Sequence, residues 1–535
     1  MTHDAGASSR DWADAGADLG DDVVAASFAR AMPVRPSIEV CAGKLHVLAT
    51  EAENALIGAK APLYVRGGLV RPIVDDLPAA HGRRTRVARL VEVDSATLLD
   101  HLSRCADFIK FDGRKKTTVA TDPPKDLATT ILSREGEWRF RKLAGVITTP
   151  TLRPDGTILS KAGYDPSTQL LLLDPPPLPF IPERPSRQQA QLALGVLEEL
   201  LTEFPFVDDA SRSVVLSGLL TAVARGALQV APLHATRAPV AGSGKSYIID
   251  VIAAVVLGQR APVISAGQKE EEMEKRLGAA LLHGQPLISI DNVNGQLGGD
   301  ALCQMIERPL VLVRPLGFST LVRIENNATW FATGNNIQLV GDMTRRVLLC
   351  SLDPNMERPE LRAFRARPFD AVLADRGKYI AAALIICRAY IVAGCPDTLP
   401  ALASFEDWSR IVRSALVWLG RDDPVMTMEA ARAEDPVISS LREVFQAWYD
   451  AVGSSGRTAG KIKEMAEELN PFGNESHGDL HRALCEIAEG NRGGIDVKRL
   501  GRWLGRHKGR IVDGLKLSGH DDAHSKQKVW SILRV

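Results

Sequence analysis

The run PVAGSGKSYIIDVIAAVVLG, residues 239–258, decides how the rest of the chain is read. A short apolar stretch, Leu233 to Arg237, comes just before it, and an apolar helix follows from Tyr247. Between them, Gly242 and Gly244 let the backbone curl, so that the amides of Ala241, Gly242, Ser243 and Gly244 can converge on an anion. Lys245 can then reach the β and γ phosphates of a nucleotide such as ATP, and Ser246 can offer its hydroxyl to Mg²⁺. The helix start adds the positive end of its dipole. The strict phosphate-loop pattern has Gly where this chain has Pro239. That position opens the loop and does not itself cradle phosphate. A Gly-Ser-Gly turn alone could be a linker; the strand before it and the helix after it argue for a phosphate loop.

Two further runs supply the partners such a loop needs. PLISIDN, Pro286 to Asn292, is an apolar strand ending in Asp291, a carboxylate suited to hold Mg²⁺ together with Ser246. The residue after it, where a second acid would polarise the attacking water, is Asn292. Asp291 itself or an acid of the segment EEEMEKRLG, such as Glu271, Glu272 or Glu274, is then left to orient the water. ATWFATGNN, Ala328 to Asn336, is another buried strand, and Asn335 at its end can hydrogen-bond a γ-phosphate. In DMTRRVLLC, Arg345 and Arg346 directly precede a further apolar run. Paired arginines are ordinarily surface charges, but in this order of motifs one of them can reach the γ-phosphate of a neighbouring subunit.

The five apolar runs Leu233 to Arg237, Pro262 to Ser265, Leu287 to Ile290, Ala328 to Thr333 and Val347 to Leu352 alternate with helical segments. They predict an α/β domain with a buried parallel sheet. With the three motifs in this order and within about a hundred residues, the chain resembles superfamily 3 helicases, in particular the helicase part of viral and phage primase-helicases, over about residues 190 to 400. The resemblance implies a P-loop AAA+ core, a hexameric ring, ATP hydrolysis between subunits and translocation on single-stranded DNA. Carried over by motif, Lys245 and Ser246 would bind phosphate and Mg²⁺, Asp291 would hold Mg²⁺, Asn335 would be the sensor, and Arg346 matches the finger better than Arg345. Pro239 and Asn292 depart from the family pattern.

Between Asp291 and Asn335, PLVLVRPLGFSTLVRIEN, Pro309 to Asn326, alternates about a glycine-containing turn and predicts a β-hairpin. The family uses a hairpin here to push DNA, which would bring Arg314, Phe318 and Arg323 near a channel; the plain reading is an edge hairpin. Near the C-terminus, Val497, Leu500, Trp503, Leu504 and Ile511 recur at helical spacing, opposite Lys498, Arg499, Arg502, Arg506, Lys508 and Arg510. Two short strands follow, Leu515 to Leu517 and Val529 to Leu533, so a winged helix that reads DNA with its basic helix is expected; a solvated amphipathic helix is the alternative.

Composition bounds the rest. At 535 residues the chain exceeds the size of one hydrophobic core, and Pro-rich DPPPLPFIPERP suggests a stiff linker. The expected layout is an acidic tail (1–35), an α+β domain of unknown role (36–173), the linker (174–185), the ATPase domain with its leading helices (186–400), a helical lid or connector (401–450) and the winged-helix-like domain (451–535). Acidic and basic residues number 65 each, so DNA contact must come from local patches. The seven cysteines are scattered and read as reduced thiols. No signal peptide is evident, and the most apolar stretch, Tyr379 to Val392, is short and broken by Arg388, so no membrane partner and a cytoplasmic place in a bacterial host are expected. Residues 36–173 offer no acid cluster for primase chemistry beyond Asp75-Asp76, which leaves room for a separate primase partner. HGRRTRVAR, His81 to Arg89, reads as a solvated loop. The function expected is that of an ATP-dependent DNA helicase acting in replication of a phage, prophage or mobile element; an ATP-gated DNA-binding initiator without processive unwinding is the alternative that Asn292 keeps open.

Overall fold

The structure, a computed structural model, describes residues 35–78, 84–267, 270–315, 320–362, 365–469, 475–490, 493–522 and 527–535. The expected acidic tail therefore lies almost wholly outside the described residues, as do Phe318 and the start of the His81 loop. The chain divides into two compact units, Met1–Val74 with Arg89–Leu143 and Asp75–Ala88 with Ala144–Val535.

In the first unit, Ser37–Glu39 runs parallel to Asp107–Ile109, and Thr117–Ala120 pairs antiparallel on the other side. Helices Leu45–Gly58, Ser95–Cys105 and Lys125–Ser133 bury Leu48, Leu56, Leu98, Leu102, Leu127 and Ile131 in one core with Ile38 and Phe108. The second of these helices starts where Asp94 accepts the backbone N–H of Thr97 at 2.7 Å, an N-cap that satisfies one free amide of the first turn.

The second unit is built on a five-stranded parallel sheet. Its strands are β1 (Leu233–Ala238), β2 (Val263–Ser265), β3 (Leu287–Leu297), β6 (Thr329–Leu339) and β7 (Val347–Ser351), in the order β2-β3-β6-β1-β7. β4 (Leu310–Val313) and β5 (Val322–Glu325) form a separate antiparallel hairpin. The three central strands β3, β6 and β1 are buried at nearly every position in their first halves, which is why they read as continuous apolar runs and not as alternating ones. α1 (Lys245–Leu257) follows β1 directly. Two more helices of the core are α2 (Glu270–Leu282), ahead of β3, and α3 (Asp300–Glu307), which leads into the hairpin.

Ser186 caps the helix Arg187–Glu199, in a capping box with Gln189; its buried face is Ala190, Ala193, Leu194 and Leu197, while Leu192 is 69% exposed. The division between units falls at Leu143/Ala144 and not in the proline run. The Thr149 and Thr151 hydroxyls donate to the carbonyls of Val256 and Val223, and Arg376 donates to Val255 O, Val256 O and Thr149 Oγ1, so residues from 144 onward are tied to the core by hydrogen bonds that hydropathy does not register. The proline run itself lies on the core: a Cβ on Gly377 would stand 2.0 Å from the Pro177 carbonyl oxygen.

The C-terminal part has its own core, formed by Leu441, Val444, Phe445 and Trp448 with Ile462, Leu480, Leu484, Leu500, Leu504, Leu517, Trp530 and Ile532. The helix Pro436–Val452 thus supplies a face of that core, so the core begins ahead of residue 451. Helices Ala459–Ala466, Gly478–Ala488 and Val497–His507 lead into strands Leu515–Asp521 and Lys528–Arg534, an antiparallel ribbon flanked by Ile511–Val512 and Arg457–Thr458. Among the described residues, no helix is long and apolar enough to cross a membrane.

Arg225 fixes the start of β6 from below. It is buried, and its guanidinium donates to the carbonyls of Ala328 (3.1 Å), Asn326 (2.7 Å), Gln229 (3.3 Å) and Leu228. Burial pulls its pKa down to about 10, so it stays charged at neutral pH. Arg225→Met would leave these carbonyls without a donor in a dry site, and a loss of about 3 kcal/mol is expected. The check is the urea midpoint at unchanged slope; an unmoved midpoint would show that water replaces the guanidinium at no cost.

Candidate nucleotide-binding site

The loop after β1 turns on two left-handed glycines, Gly242 at φ +75° and Gly244 at φ +92°. Side chains are strained in that region, and at Gly242 one would also collide. A Cβ on Gly242 would meet the backbone nitrogen of Glu360 at 2.9 Å, and one on Gly244 would touch the Phe204 ring at 3.4 Å. Ser243 is buried and donates to Val240 O at 2.6 Å, pinning the loop from inside. Residues Gly242 to Tyr247 line an open cleft of about 420 Å³. Ala241 and Gly242 are exposed at its rim.

Lys245 is half-buried, and its ammonium donates to Val240 O at 3.0 Å. Burial lowers its pKa, and the charge of Asp291 partly restores it. Ser246 donates to Asp291 Oδ1 at 3.1 Å, and Thr333 donates to the same oxygen. One carboxylate oxygen is thus held by hydroxyls from α1 and β6. Asp250, one helical turn after Ser246, has its carboxyl pushed above the usual range by burial, with the Asp291 charge adding to the shift.

Asp291 stands where β3 leaves regular register with β6. Pairing runs to Ile290↔Ala332 and resumes at Val293↔Gly334, so Asp291 and Asn292 form a bulge, with Asn292 left-handed at φ +57°. Gly334 opposite is obligatory in space, because a Cβ there would stand 2.0 Å from Val293 O. On β6, Thr333, Gly334 and Asn335 pair regularly with Thr236, Arg237 and Ala238, so Thr333 and Asn335 project to one side. Asn335 sits beside Ala238, the last residue before the loop, and its Oδ1 is buried with no hydrogen-bond partner. Buried polar atoms are rarely left so, and this oxygen can accept a hydrogen bond.

Of the acids considered for the attacking water, Glu271 is paired with Lys275 (2.7 Å) and Glu272 with Arg276 (2.5 Å) along α2. Arg276 also donates to Ser265 O at 3.0 Å, and Ser265 is the β2 partner of Asp291. The arginine pair divides unequally. Arg346 is buried and held by Glu307 (Nε to Oε2, 2.9 Å) and Asp342 (3.0 Å). Arg345 is partly exposed and pairs with the same two acids, Asp342 at 3.1 Å and Glu307 at 3.7 Å. The two arginines thus share partners and differ in exposure, Arg345 being the more accessible of the pair.

The remaining sequence-predicted residues lie away from the loop in the chain. Arg314 and Arg323 are exposed on the hairpin, Arg323 opposite Leu312, while Val311, Val313 and Ile324 face inward. Lys498, Arg499, Arg502, Arg506, Lys508 and Arg510 are all exposed, the first four on the helix Val497–His507, which Asp496 caps through the Arg499 N–H at 2.8 Å. Ile511 of the expected stripe is not on that helix; it begins a strand and is 56% exposed. Sequence reasoning missed Thr333, Phe204 and Glu360. The Thr-Gly-Asn-Asn run carried a signal for the first; Phe204 and Glu360 meet the loop only through the fold.

No protein-family model matches the chain, and no curated protein matches it. Solved structures that resemble it include the A form apo structure of the NrS-1 C-terminal region, at 10% identity over 86% of this chain and 96% of that one, with a TM-score of 0.36. A second structure of that region matches at 10% identity over 84% and 94%, with a TM-score of 0.35. The JCV helicase with a bound small molecule matches at 11% identity over 47% and 74%, with a TM-score of 0.20.

Thr333→Val keeps the shape and removes one of the two hydroxyls that orient Asp291. The Mg²⁺ concentration needed for half-maximal nucleotide binding is expected to rise about tenfold, with binding in EDTA unchanged; an unmoved Mg²⁺ titration would reject the orienting role. A pH dependence follows from Lys245. A triphosphate favours the ammonium, so affinity is full below the pKa of the free site and falls as pH rises through it. Because burial lowers that pKa, fluorescent-nucleotide affinity is expected to decline at a lower pH than the ordinary lysine value of about 10.4 would give.

Proposed function

We propose that this chain is a P-loop ATPase that works as a ring-forming DNA helicase of superfamily 3 type, in replication of a phage, prophage or related mobile element. The observation that carries the reading is the convergence of Ser246, Asp291 and Thr333 at the mouth of the glycine loop, with the unsatisfied Asn335 Oδ1 on the same side. ATP would lie along Ala241 to Ser246, with Lys245 on its terminal phosphates. Mg²⁺ would sit between Ser246 and Asp291, hard oxygen donors of the kind it prefers. Asn335 would hold the attacking water through its Oδ1 acceptor, or sense the γ-phosphate by donating its amide N–H.

In a hexameric ring, a finger from the neighbouring subunit would complete the site. Burial favours Arg345 for that role and gives Arg346 the task of holding the Arg345 segment through Glu307 and Asp342. Arg314, Phe318 and Arg323 would face single-stranded or forked DNA on the hairpin. The helix Val497–His507 and its ribbon would act as a winged helix, with Lys498, Arg499, Arg502, Arg506, Lys508 and Arg510 on phosphates. A separate primase would supply primers, and the work would take place in the bacterial cytoplasm.

Asn292 favours a second reading, a DNA-binding initiator that uses ATP to assemble and does not translocate. An amide cannot accept a proton from water, and its left-handed backbone on the bulge is a conformation that asparagine tolerates better than glutamate. Strand displacement on forked DNA separates the two. The helicase reading expects ATP-dependent unwinding that Lys245→Ala lowers at least about a hundredfold. Unwinding that persists in the variant would remove this mechanism, and ATPase activity that is negligible even with single-stranded DNA would favour the initiator.

A further inference from the structure

The hairpin at the end of the first unit has no part in the proposed motor. Its strands are Asp107–Asp112 and Thr117–Ala120, with the turn Gly113 to Lys116 between them. Ser37–Glu39 pairs only as far as Ile109, so Lys110–Asp112 and their partners Thr117–Val119 run on as a two-stranded ribbon. Both faces of that extension are uncovered, and Phe111 is 61% exposed. Lys110, Arg114, Lys115 and Lys116 are exposed around it, and none has an ion pair among the described residues. Glu39, the register partner of Ile109, is exposed at the base of the ribbon, and two further acids are already engaged. Asp107 pairs with Arg35 at 3.3 Å, and Asp112 accepts the backbone N–H groups of Arg114 (2.9 Å) and Lys115 (3.3 Å), which shapes the turn.

We infer that this ribbon is a second nucleic-acid site, one that takes single-stranded DNA. An open ring face offers a platform on which an unpaired base can stack, while cations on the same tip meet the phosphates to either side. A duplex keeps its bases stacked on one another and cannot use Phe111 in this way. The assignment does not rest on the ATPase reading, because it requires neither nucleotide nor ring.

The test is fluorescence anisotropy of a labelled oligo-dT strand with the full chain, without nucleotide and at several salt concentrations. Arg502→Gln with Arg506→Gln serves as the background, to thin out the contribution of the C-terminal helix. In that background Phe111→Ala is expected to weaken binding about fivefold or more, and Phe111→Trp to retain it. The triple variant Arg114→Gln, Lys115→Gln, Lys116→Gln should make the log–log salt dependence shallower by about two units. These side chains are exposed, so thermal melting should not move. Wild-type affinity and salt slope in both variants would overturn the proposal. An equal loss of blunt-duplex binding would overturn the single-strand assignment, and a Phe111-dependent attachment to phosphatidylserine vesicles without loss of oligo-dT binding would assign the ribbon to a membrane surface instead.

Discussion

One oxygen of Asp291 receives hydroxyl hydrogens from two directions, from Ser246 at the head of α1 and from Thr333 near the end of β6. That shared acceptor joins the phosphate loop to the strand that carries Asn335. Neither hydroxyl is strong as a partner by itself, since a net hydrogen bond to a charged group contributes about 1.5–3 kcal/mol. Their value lies in direction: the carboxylate is oriented before any cation arrives, so a metal ion would meet an acid already aimed. The bulge at Asp291-Asn292 makes this possible by turning the acid out of the pleat, and Gly334 makes the bulge possible by leaving room for Val293 O.

The same arrangement separates what was legible in the sequence from what was not. All five sheet strands could be located, because a parallel strand covered on both faces must be apolar at successive positions. The glycine loop was legible because positive φ demands its residue type. β3 and β6 run several residues past the apolar stretches that announced them, to Leu297 and Leu339, since polar residues such as Asn294 and Gln338 pair there by backbone alone. Thr333 stood in view within a conspicuous run, but only register shows that it faces Asp291.

Burial of charge was the least legible property. Arg225, Arg346 and Arg376 look in the sequence like any surface arginine, yet the first two are buried and the third half-buried, surrounded by carbonyl oxygens or by acids brought from distant positions. Periodicity counts apolar residues, so it cannot see a cation that stitches loops together. For that reason sequence order alone does not separate Arg345 from Arg346, whereas the structure does: both meet Glu307 and Asp342, but Arg346 is buried and Arg345 partly exposed. The division of units at Leu143/Ala144 has the same origin, with Thr149, Thr151 and Arg376 joining residues 144 onward to the core.

The carbonyl of Pro177 resting on Gly377 gives the proline run a different meaning from that of a tether. It behaves as a splint bound along the start of the helix Arg376–Val392, and a splint cannot be cut away without exposing what it covers. A shortened protein that begins at Ser186 would lose that cover together with the threonine ties to Val223 and Val256, whereas one that begins ahead of Ala144 would keep both. The smallest piece able to stand alone is therefore longer at its front end than the motifs suggest.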